Sequence, residues 1–241
     1  MKILRVIDLE TCGLKPPAGI CEVATVDVVI SDDGIVSRGE TWATLINPGE
    51  PIPPEASAIH GIVDDMVMDA PPFDLEIVKQ IIRGDPAYLV AHNSKFDRQW
   101  FDPPSVRWLD TYKIALWLWP SCPSHSNQCL RYWLKLKFAD DVGPVHRATA
   151  DTVVTAAVLR RAFTAGATIE QMVEVSSQPA LLPRFRFGKN KNVPIEKIDA
   201  GYLDWILSQK NMDEDARHTA FAEIQRRRNL SNLANKKMSE I

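Results

Sequence analysis

Two acidic residues stand one position apart near the start of the chain, in the segment Asp8-Leu9-Glu10. Alternate side chains of an extended strand point to the same face, so the two carboxylates lie side by side. Neighbouring carboxylates repel each other, and a proton or a cation relieves that repulsion. Because hard oxygen ligands of this kind suit Mg²⁺ or Mn²⁺, the spacing predicts a divalent-cation site at these two residues.

The same acidic spacing recurs at Asp74-Leu75-Glu76, so the pattern alone is not specific. This second copy opens a segment with helical spacing, Phe73–Arg83. Acidic side chains at the start of a helix are stabilised by the helix dipole. We therefore interpret the second copy as a helix start and not as a cation site.

A histidine stands five positions before an aspartate three times in the chain: at His60 and Asp65, His92 and Asp97, and His146 and Asp151. Only His146 lies in a loop that leads into a long apolar helix, predicted at Arg147–Phe163, whose first turn carries Asp151 inward. A histidine beside a bound cation can take a proton from water at neutral pH. His60 follows a proline-rich loop, and we interpret it as a structural or substrate-lining residue.

Strands and helices must position these side chains. The sequence predicts strands at Ile3–Asp8, Cys21–Ile30, Thr41–Ile46, Tyr88–Ala91 and Val106–Leu109. It predicts further helices at Ala56–Ile62, from Ser94 (with Ser94 as N-cap), and at Tyr112–Trp119, Ser126–Leu136 and Ile169–Val175. A three-strand meander followed by two strands that alternate with helices predicts an α/β fold, with a mixed five-stranded sheet flanked by helices. Ligands in such folds bind beyond the carboxyl ends of the strands, where Asp8 lies.

Jointly, three segments resemble the motifs of the DEDDh 3′→5′ exonucleases, the DnaQ-like and RNase T-like group of the ribonuclease H-like fold. The segments are residues 8–11 (Asp-Leu-Glu-Thr), residues 92–97 (His-Asn-Ser-Lys-Phe-Asp), and His146 with Asp151. Their order matches that family, as do their positions after strand one, after strand four and at the last long helix. The segment Ile59-His60-Gly61-Ile62 is also similar to it, and the resemblance covers about residues 1–176.

The resemblance implies hydrolysis of phosphodiester bonds with two divalent ions, Mg²⁺ or Mn²⁺, which hold the attacking and leaving oxygens. It implies that Asp8 bridges both ions and that Glu10 and Asp151 hold the ion that carries the attacking water. Asp97 would support the second ion, directly or through water, and His146 would be the general base. The products would be 5′-mononucleotides, released one at a time from a 3′ end.

The resemblance also implies contacts with the terminal nucleotide. Thr11 would act through its backbone and Phe96 by packing against the sugar, although both residues could equally be packing residues. Asn93 would hold either the turn after strand four or a substrate phosphate. His60 completes this group of candidate substrate-binding residues.

The C-terminal part of the chain is basic. Residues 184–241 contain 12 Lys and Arg against 8 Asp and Glu, a net charge of +4, whereas the rest of the chain has −7. Near its start, basic residues alternate with Phe185 and Phe187: Arg184, Arg186, Lys189 and Lys191. We weigh a hairpin with a solvated edge against a patch that binds nucleic-acid phosphates, to which the basic run 226–228 would add unless it only complements a helix dipole.

The tail resembles the small C-terminal α+β module of one DNA-degrading branch of the family. We therefore predict an exonuclease domain at residues 1–176, a linker at about 177–183 and a small basic module at 184–241. An acidic body whose carboxylates hold cations, joined to a basic module, agrees with DNA as the partner.

The composition excludes several classes of protein. With 241 residues, of which 45% are hydrophobic and 24% charged, the chain is globular and is neither collagen-like nor disordered. Its apolar runs, such as Ile114–Trp119, are shorter than the ~18 residues needed to span a bilayer. With no visible signal peptide and no CxxC pair, we predict a cytoplasmic protein with reduced thiols and no membrane partner. Zinc at Cys122, His125 and Cys129 is disfavoured because no second ligand pair follows.

We therefore predict a metal-dependent 3′→5′ exodeoxyribonuclease that acts on 3′ ends of single-stranded or duplex DNA in repair or recombination. One alternative is an exoribonuclease of the same superfamily, because the motifs do not read the 2′-hydroxyl and RNA fits them too. Another is a polymerase-associated proofreading subunit whose basic tail docks a partner. The sequence identifies no particular protein partner.

Overall fold

The computed structural model describes residues 1–138 and 143–239, so positions 139–142 and 240–241 of the two predicted domains lie outside the described residues. Its centre is a sheet of five strands: β1 Lys2–Thr11, β2 Ile20–Ile30, β3 Val36–Leu45, β4 Tyr88–Ala91 and β5 Arg107–Asp110. Their spatial order is β3-β2-β1-β4-β5. The first three strands pair antiparallel, and β4 and β5 run parallel to β1. The predicted mixed five-stranded sheet is confirmed.

Helices cover the sheet and form the C-terminal part of the chain. They are α1 Pro54–His60, α2 Asp64–Val67, α3 Leu75–Ile81, α4 Thr111–Leu118, α5 Asn127–Trp133, α6 Ala148–Thr164, α7 Ile169–Ser177, α8 Ala200–Ser208 and α9 Glu214–Ser239. As predicted, Asp74 begins α3, where its side chain accepts the N–H groups of Glu76 and Ile77. Within the described residues, no helix has the length and apolar character needed to cross a membrane.

Both faces of β1, β2 and β4 are buried, since successive strand residues point to opposite sides and helices pack on each side. Leu4, Val6 and Val90 point toward α6, where they pack with Leu159 in one hydrophobic cluster. Ile7, Leu9 and Leu89 point the other way and pack with Ile77 and Ile81 of α3 and with Phe101, residues that all belong to a second cluster. The long helix α6 therefore lies across β1 and β2, which brings its first turn to the carboxyl end of β1.

A buried ion pair joins the two central strands to α3. Arg5 on β1 donates two hydrogen bonds to the carboxylate of Asp27 on β2, at 2.7 and 2.9 Å. Its remaining guanidinium nitrogen donates to the carbonyl oxygens of Ile81 and Arg83. A buried charge pair is tolerated when its hydrogen bonds are made in this way.

The segment after β4 is not the helix that the sequence predicts from Ser94. Its regular part is a single 3₁₀ turn at Asp97–Gln99, and Asn93 adopts a left-handed backbone with φ 73°. The Ser94 hydroxyl donates to Asp110 at 3.1 Å and caps no helix. Asp110, at the end of β5, also accepts the N–H groups of Asn93 and Ser94 and caps α4. A carboxylate on the neighbouring strand therefore shapes this turn.

The C-terminal module has its own hydrophobic cluster, which includes Phe185, Tyr202 and Leu203. It is helical and not α+β as predicted: among its described residues, the only β pairing is an isolated bridge between Arg184 and Pro194. The backbone is left-handed at Gly188 (φ 66°) and Asn192 (φ 64°), where the chain turns.

The predicted linker is held in place by hydrogen bonds. The N–H of Ala180 donates to Asp215 at 2.7 Å, and the N–H of Leu182 donates to Thr219 Oγ1 at 2.9 Å. On the other side, Lys113 Nζ donates to the carbonyl oxygen of Gln178 at 2.6 Å. The segment therefore contacts both parts of the chain, and the exact division at residues 176 and 184 stays a prediction.

Candidate active site

Three carboxylates meet at the carboxyl end of β1. Asp8 and Glu10 lie on one side of the strand, which continues past its predicted end at Asp8 to Thr11 because it still pairs with β2 there. Asp151 comes from the first turn of α6. One carboxylate oxygen of each of the three residues lies within 4.8 Å of those of the other two. This arrangement is typical of ligands that share a divalent cation.

Asp97 is the fourth predicted acidic residue, and it lies beside Asp8. It is 3% exposed and begins the 3₁₀ turn after β4. Burial raises the pKa of Asp97 to about 8, and the charge of Asp110 adds to this effect. The structure therefore brings all four predicted carboxylates to one end of the sheet, three as a tight group and Asp97 next to them.

The acidic side chains of the site outnumber the basic side chains that could neutralise them. Burial raises the pKa of Asp8 well above its usual range, and the charges of Asp97, Glu10 and Asp151 raise it further. Burial also raises the pKa of Glu10 to about 8, with Asp151 and Glu22 adding to the effect and the Arg147 guanidinium opposing it. A cation with several positive charges would offset this repulsion, so the donor set fits Mg²⁺ or Mn²⁺.

Each oxygen of the Asp151 carboxylate accepts one hydrogen bond. Gln128 Nε2 on α5 donates to Oδ1 at 3.2 Å, and the backbone N–H of His146 donates to Oδ2 at 3.1 Å. These bonds orient the carboxylate toward Asp8 and Glu10. The sequence analysis missed Gln128, because nothing in the spacing of α5 connects it with a residue on α6.

His146 lies where the sequence predicts it, in the loop that enters α6. Its side chain is exposed and its backbone is left-handed, with φ 59°. Burial raises the pKa of Asp151, whereas the hydrogen bond from Gln128 and the nearby His146 lower it. The imidazole is thus close to the carboxylates and open to water, as a general base needs to be.

A pair of residues that the sequence does not predict, Glu22 and Arg147, fixes the start of α6. The N-cap residue of this helix is Arg147, whose own side chain does not cap it. Instead Glu22 on β2 accepts the N–H of Ala148 at 2.9 Å and two hydrogen bonds from the Arg147 guanidinium, at 3.0 and 2.6 Å. Glu22 is buried directly opposite Glu10 in the sheet. The pair fixes the first turn of α6, and with it Asp151, against β2.

The candidate substrate-binding residues differ in how deeply they are buried. Thr11 is buried, and its hydroxyl donates to the carbonyl oxygen of Gly13. Phe96 is half-buried with its ring centroid 4.9 Å from that of Trp100, and Asn93 is exposed. These three residues flank the carboxylates in the chain. Their contacts with a nucleotide stay predictions.

His60 is buried beneath the surface. Its Nδ1 accepts the N–H of Ile62 at 3.0 Å, and its Nε2 lies 3.7 Å from Cys21 Sγ. Only 4% of the residue is exposed. Because both ring nitrogens contact protein atoms, the placement favours the structural interpretation of His60 over the substrate-lining one.

The four candidate basic residues of the tail do not form a single group. Arg184 and Arg186 line a small cavity together with Tyr112 and His125 of the preceding domain. The pKa of His125 is lowered by burial and, to a smaller extent, by these two positive charges. Lys189 and Lys191 are exposed and do not line this cavity, and Lys189 lies over the ring of Tyr202.

The loop that contains Cys122, His125 and Cys129, the disfavoured zinc site, has other contacts. Cys122 Sγ donates to the carbonyl oxygen of Ser124 at 2.9 Å, and His125 Nε2 contacts the carbonyl oxygen of Trp119 at 2.9 Å. Cys129 lies on α5. These contacts agree with the structural interpretation of the loop.

The chain is similar to known nucleases over most of its length. Residues 6–159 match the family described as exonuclease, of RNase T type. Exodeoxyribonuclease 10 of Escherichia coli (strain K12) is 37% identical over 216 residues, which cover 88% of this chain and 92% of that protein. DNA polymerase III subunit epsilon of Treponema pallidum is 35% identical over 160 residues, 61% of this chain and 70% of that protein.

Solved structures agree with these relatives. A structure of exonuclease X in complex with 5′ overhanging duplex DNA superposes with a TM-score of 0.62 at 39% identity, over 72% of this chain and 99% of that one. Exonuclease I of E. coli with a dA16 oligonucleotide superposes with a TM-score of 0.54 at 18% identity, over 72% of this chain and 42% of that one, and shows a likeness of fold alone. The family resemblance predicted from the motifs is confirmed, and the likeness of the tail stays a prediction.

Proposed function

Because the chain belongs to the exonuclease family of RNase T type, we propose that it is a metal-dependent 3′→5′ exodeoxyribonuclease. It hydrolyses phosphodiester bonds at 3′ ends of DNA and releases 5′-mononucleotides. The observation that carries this proposal is the group formed by Asp8, Glu10 and Asp151, whose ligand atoms lie within 4.8 Å of one another beside Asp97.

The carboxylates would hold two divalent ions, Mg²⁺ or Mn²⁺. When bound, such ions stabilise the charge on the attacking and leaving oxygens of the phosphate. Asp8 would be a ligand of both ions, Glu10 and Asp151 would hold the ion that carries the attacking water, and Asp97 would support the second ion. Burial raises the pKa values of Glu10 and Asp97 to about 8, and repulsion from neighbouring acids adds to this, which suits residues that bind a cation.

His146 takes the proton from the attacking water. Its exposed ring can pass that proton on to solvent, so the base is ready for the next cycle. The backbone of His146 is tied to Asp151 by its N–H, which keeps the ring close to the carboxylate that orients the water. Base and ligand are therefore positioned by the same turn of the chain.

We assign the DNA strand to the surface that joins the carboxylates to the basic module. Thr11, Phe96 and Asn93 contact the terminal nucleotide, and Arg184, Arg186, Lys189 and Lys191 contact phosphates. Support comes from the charge of the tail and from the position of Arg184 and Arg186 beside Tyr112 and His125. We further propose a role in DNA repair or recombination in the cytoplasm.

A nuclease assay tests the proposal. The protein is incubated in Mg²⁺ with 5′-labelled 20-nucleotide single-stranded DNA, with duplex DNA and with RNA of the same sequence. We expect stepwise shortening of DNA from the 3′ end, abolished by EDTA and by Asp8→Asn. Faster decay of the RNA would instead identify an exoribonuclease, and activity that survives EDTA would contradict the metal site.

A further inference from the structure

An exposed tryptophan stands on α8 in the C-terminal module. Trp205 is 46% exposed, whereas Tyr202, one turn earlier, is 7% exposed. The two rings stack, with their centroids 5.3 Å apart and an interplanar angle of 28°. Tyr202 belongs to the hydrophobic cluster of the module and supports Trp205 from the inside. The indole is therefore held rigidly with nearly half of the residue's surface in solvent.

The loop before α8 is fixed against this aromatic pair. Lys189 Nζ lies 5.2 Å from the centroid of the Tyr202 ring. At Gly188, which has φ 66°, a Cβ atom would lie 2.3 Å from the Tyr202 hydroxyl, so only glycine permits this approach. The N–H of Asn192 donates to the carbonyl oxygen of Phe185 at 2.8 Å and closes the loop. Lys189 is thereby presented next to the rings.

The positive charges of this loop are not neutralised. Arg186, Lys189 and Lys191 are exposed and form no ion pair with any residue that the structure describes. In the same module, by contrast, Arg226 and Arg227 both bind Glu223 at 2.7 Å. Two of the three basic residues of the α9 run are therefore neutralised by an acid, whereas the loop residues keep their charge.

Two hydrogen-bonding groups of the same region also lack a partner. The Tyr202 hydroxyl and the Asn190 amide nitrogen are buried, and neither has a hydrogen-bond partner among the described residues. Buried polar groups are nearly always paired, so unpaired ones call for an explanation such as a missing ligand. Both groups can donate to an anionic oxygen.

We propose that Trp205 is a stacking site for a base of unpaired DNA, with Arg186, Lys189 and Lys191 holding the adjoining phosphates. Aromatic rings beside cations bind single strands, because every base has a flat face and every linkage a negative charge. Inside a duplex, neighbouring base pairs cover these faces, so the site selects an unpaired strand. It is a second DNA site, on a different part of the chain from the carboxylates.

The strand can pass from this site toward the active site. Arg186 lines one cavity with Tyr112 and His125, and the carbonyl oxygen of His125 contacts His92 at 2.7 Å. His92 opens the segment 92–97, which ends in Asp97. Only the direction of the strand, toward the active site, rests on the proposed function. Stacking of a base on Trp205 requires neither metal nor hydrolysis.

Binding measured in EDTA tests the inference apart from catalysis. Fluorescence anisotropy of labelled dT20 is titrated at several salt concentrations. Since a stacked base contributes about 1–3 kcal/mol, Trp205→Ala should weaken binding roughly 5- to 150-fold at an unchanged salt slope, and Trp205→Phe should restore part of the loss. The pair Lys189→Ala and Lys191→Ala should reduce the salt slope by about 1.4, since each phosphate contact on a single strand contributes about 0.7.

Trp117→Ala is the matched control, because Trp117 is 41% exposed on α4 and lies outside the loop. It should bind dT20 like the unaltered protein, and thermal unfolding should show that all variants are folded. If Trp205→Ala binds as tightly as Trp117→Ala, or weakens blunt duplex and single strands equally, the stacking site is refuted. Lack of nuclease activity in Mg²⁺ would refute the proposed function. It would not affect the binding of dT20 measured in EDTA.

Discussion

At the scale of single residues, the active site depends on how Asp151 is held. Both of its oxygens accept a hydrogen bond, one from a side chain and one from the backbone. A carboxylate oxygen has a further lone pair after such a bond, so both remain able to bind a cation. The partners Gln128 and His146 belong to two different segments, and replacing each one should affect activity in a different way.

Replacing His146 tests the general base. We expect His146→Asn to lower the rate of DNA hydrolysis by about 10²–10⁴, the usual contribution of such a base. Asparagine tolerates the left-handed backbone at this position, so the N–H bond to Asp151 and the fold are retained. Single-turnover kinetics measures the rate, and a rate close to that of the unaltered protein would exclude His146 as the base.

Replacing Gln128 tests the support of Asp151. Gln128→Leu retains the bulk of the side chain and removes the hydrogen bond to Oδ1. We expect the Mg²⁺ concentration for half-maximal activity to rise about 10- to 100-fold, as is typical when a group that orients a metal ligand is lost. Mn²⁺ binding followed by electron paramagnetic resonance should show the same change. Unaltered Mn²⁺ affinity would show that Asp151 does not need this bond.

At the scale of elements, the position of α6 is set by β2. The Arg147 guanidinium and the first free N–H of the helix both bind Glu22, whose side chain is 5% exposed. Because Asp151 lies within the first turn, any movement of this helix end moves a predicted metal ligand.

Arg147→Met should therefore destabilise the protein. It leaves the Glu22 carboxylate buried, without its cation and beside other acids, which we expect to cost about 3 kcal/mol of unfolding free energy. Chemical denaturation in EDTA measures this loss. Arg83→Met is the control, because its pair with Glu40 is exposed on both sides and should contribute only about 0–1 kcal/mol. Equal effects of the two substitutions would contradict the role of the buried pair.

At the scale of the whole molecule, the charge is divided between two regions. The net charge of −7 outside the tail includes the four carboxylates that would hold cations, and the tail carries +4. The acidic part therefore becomes less repulsive toward DNA when metal binds, while the free positive charge of the loop at Arg186, Lys189 and Lys191 is independent of metal. Because these carboxylates take up either protons or metal ions, the free energy of unfolding should depend on both pH and metal.

Burial raises the pKa values of Glu10 and Asp97 to about 8 in the metal-free protein, so both bind protons more tightly when folded. Their stabilising contribution is complete below the unfolded pKa values near 4 and is lost as the pH rises through about 8. We expect the Tm in EDTA to fall between pH 6 and pH 9.

Mg²⁺ should counteract that fall. Its ligands must be deprotonated, so the increase in Tm on adding Mg²⁺ should be larger at pH 9 than at pH 6. Calorimetry at the two pH values checks this. Asp8→Asn should raise the Tm in EDTA more at pH 9 than at pH 6, because ionisation of the buried carboxyl is prevented, and should reduce the shift caused by Mg²⁺. An equal Mg²⁺ shift at both pH values would argue against these acids as ligands.

Much of the fold and site is predictable from the sequence because it depends on local periodicity. Alternation along a strand places Asp8 and Glu10 on one side, and helical spacing turns Asp151 inward. The order of the three motifs is enough to identify the family. Local rules failed at Ser94 and at residues 184–191, where Asp110 and the Tyr202 ring, both distant in the chain, decide the backbone.

Only the tertiary structure decided how those residues are supported. Gln128 and Asp151 are 23 positions apart, and Glu22 and Arg147 are 125 apart. No periodic pattern connects residues at such separations; they meet because α6 packs across β1 and β2. The exposure of Trp205 on the ring of Tyr202 likewise depends on what the folded chain leaves uncovered. The residue types thus determined the chemistry, and the packing of the helices on the sheet determined its geometry.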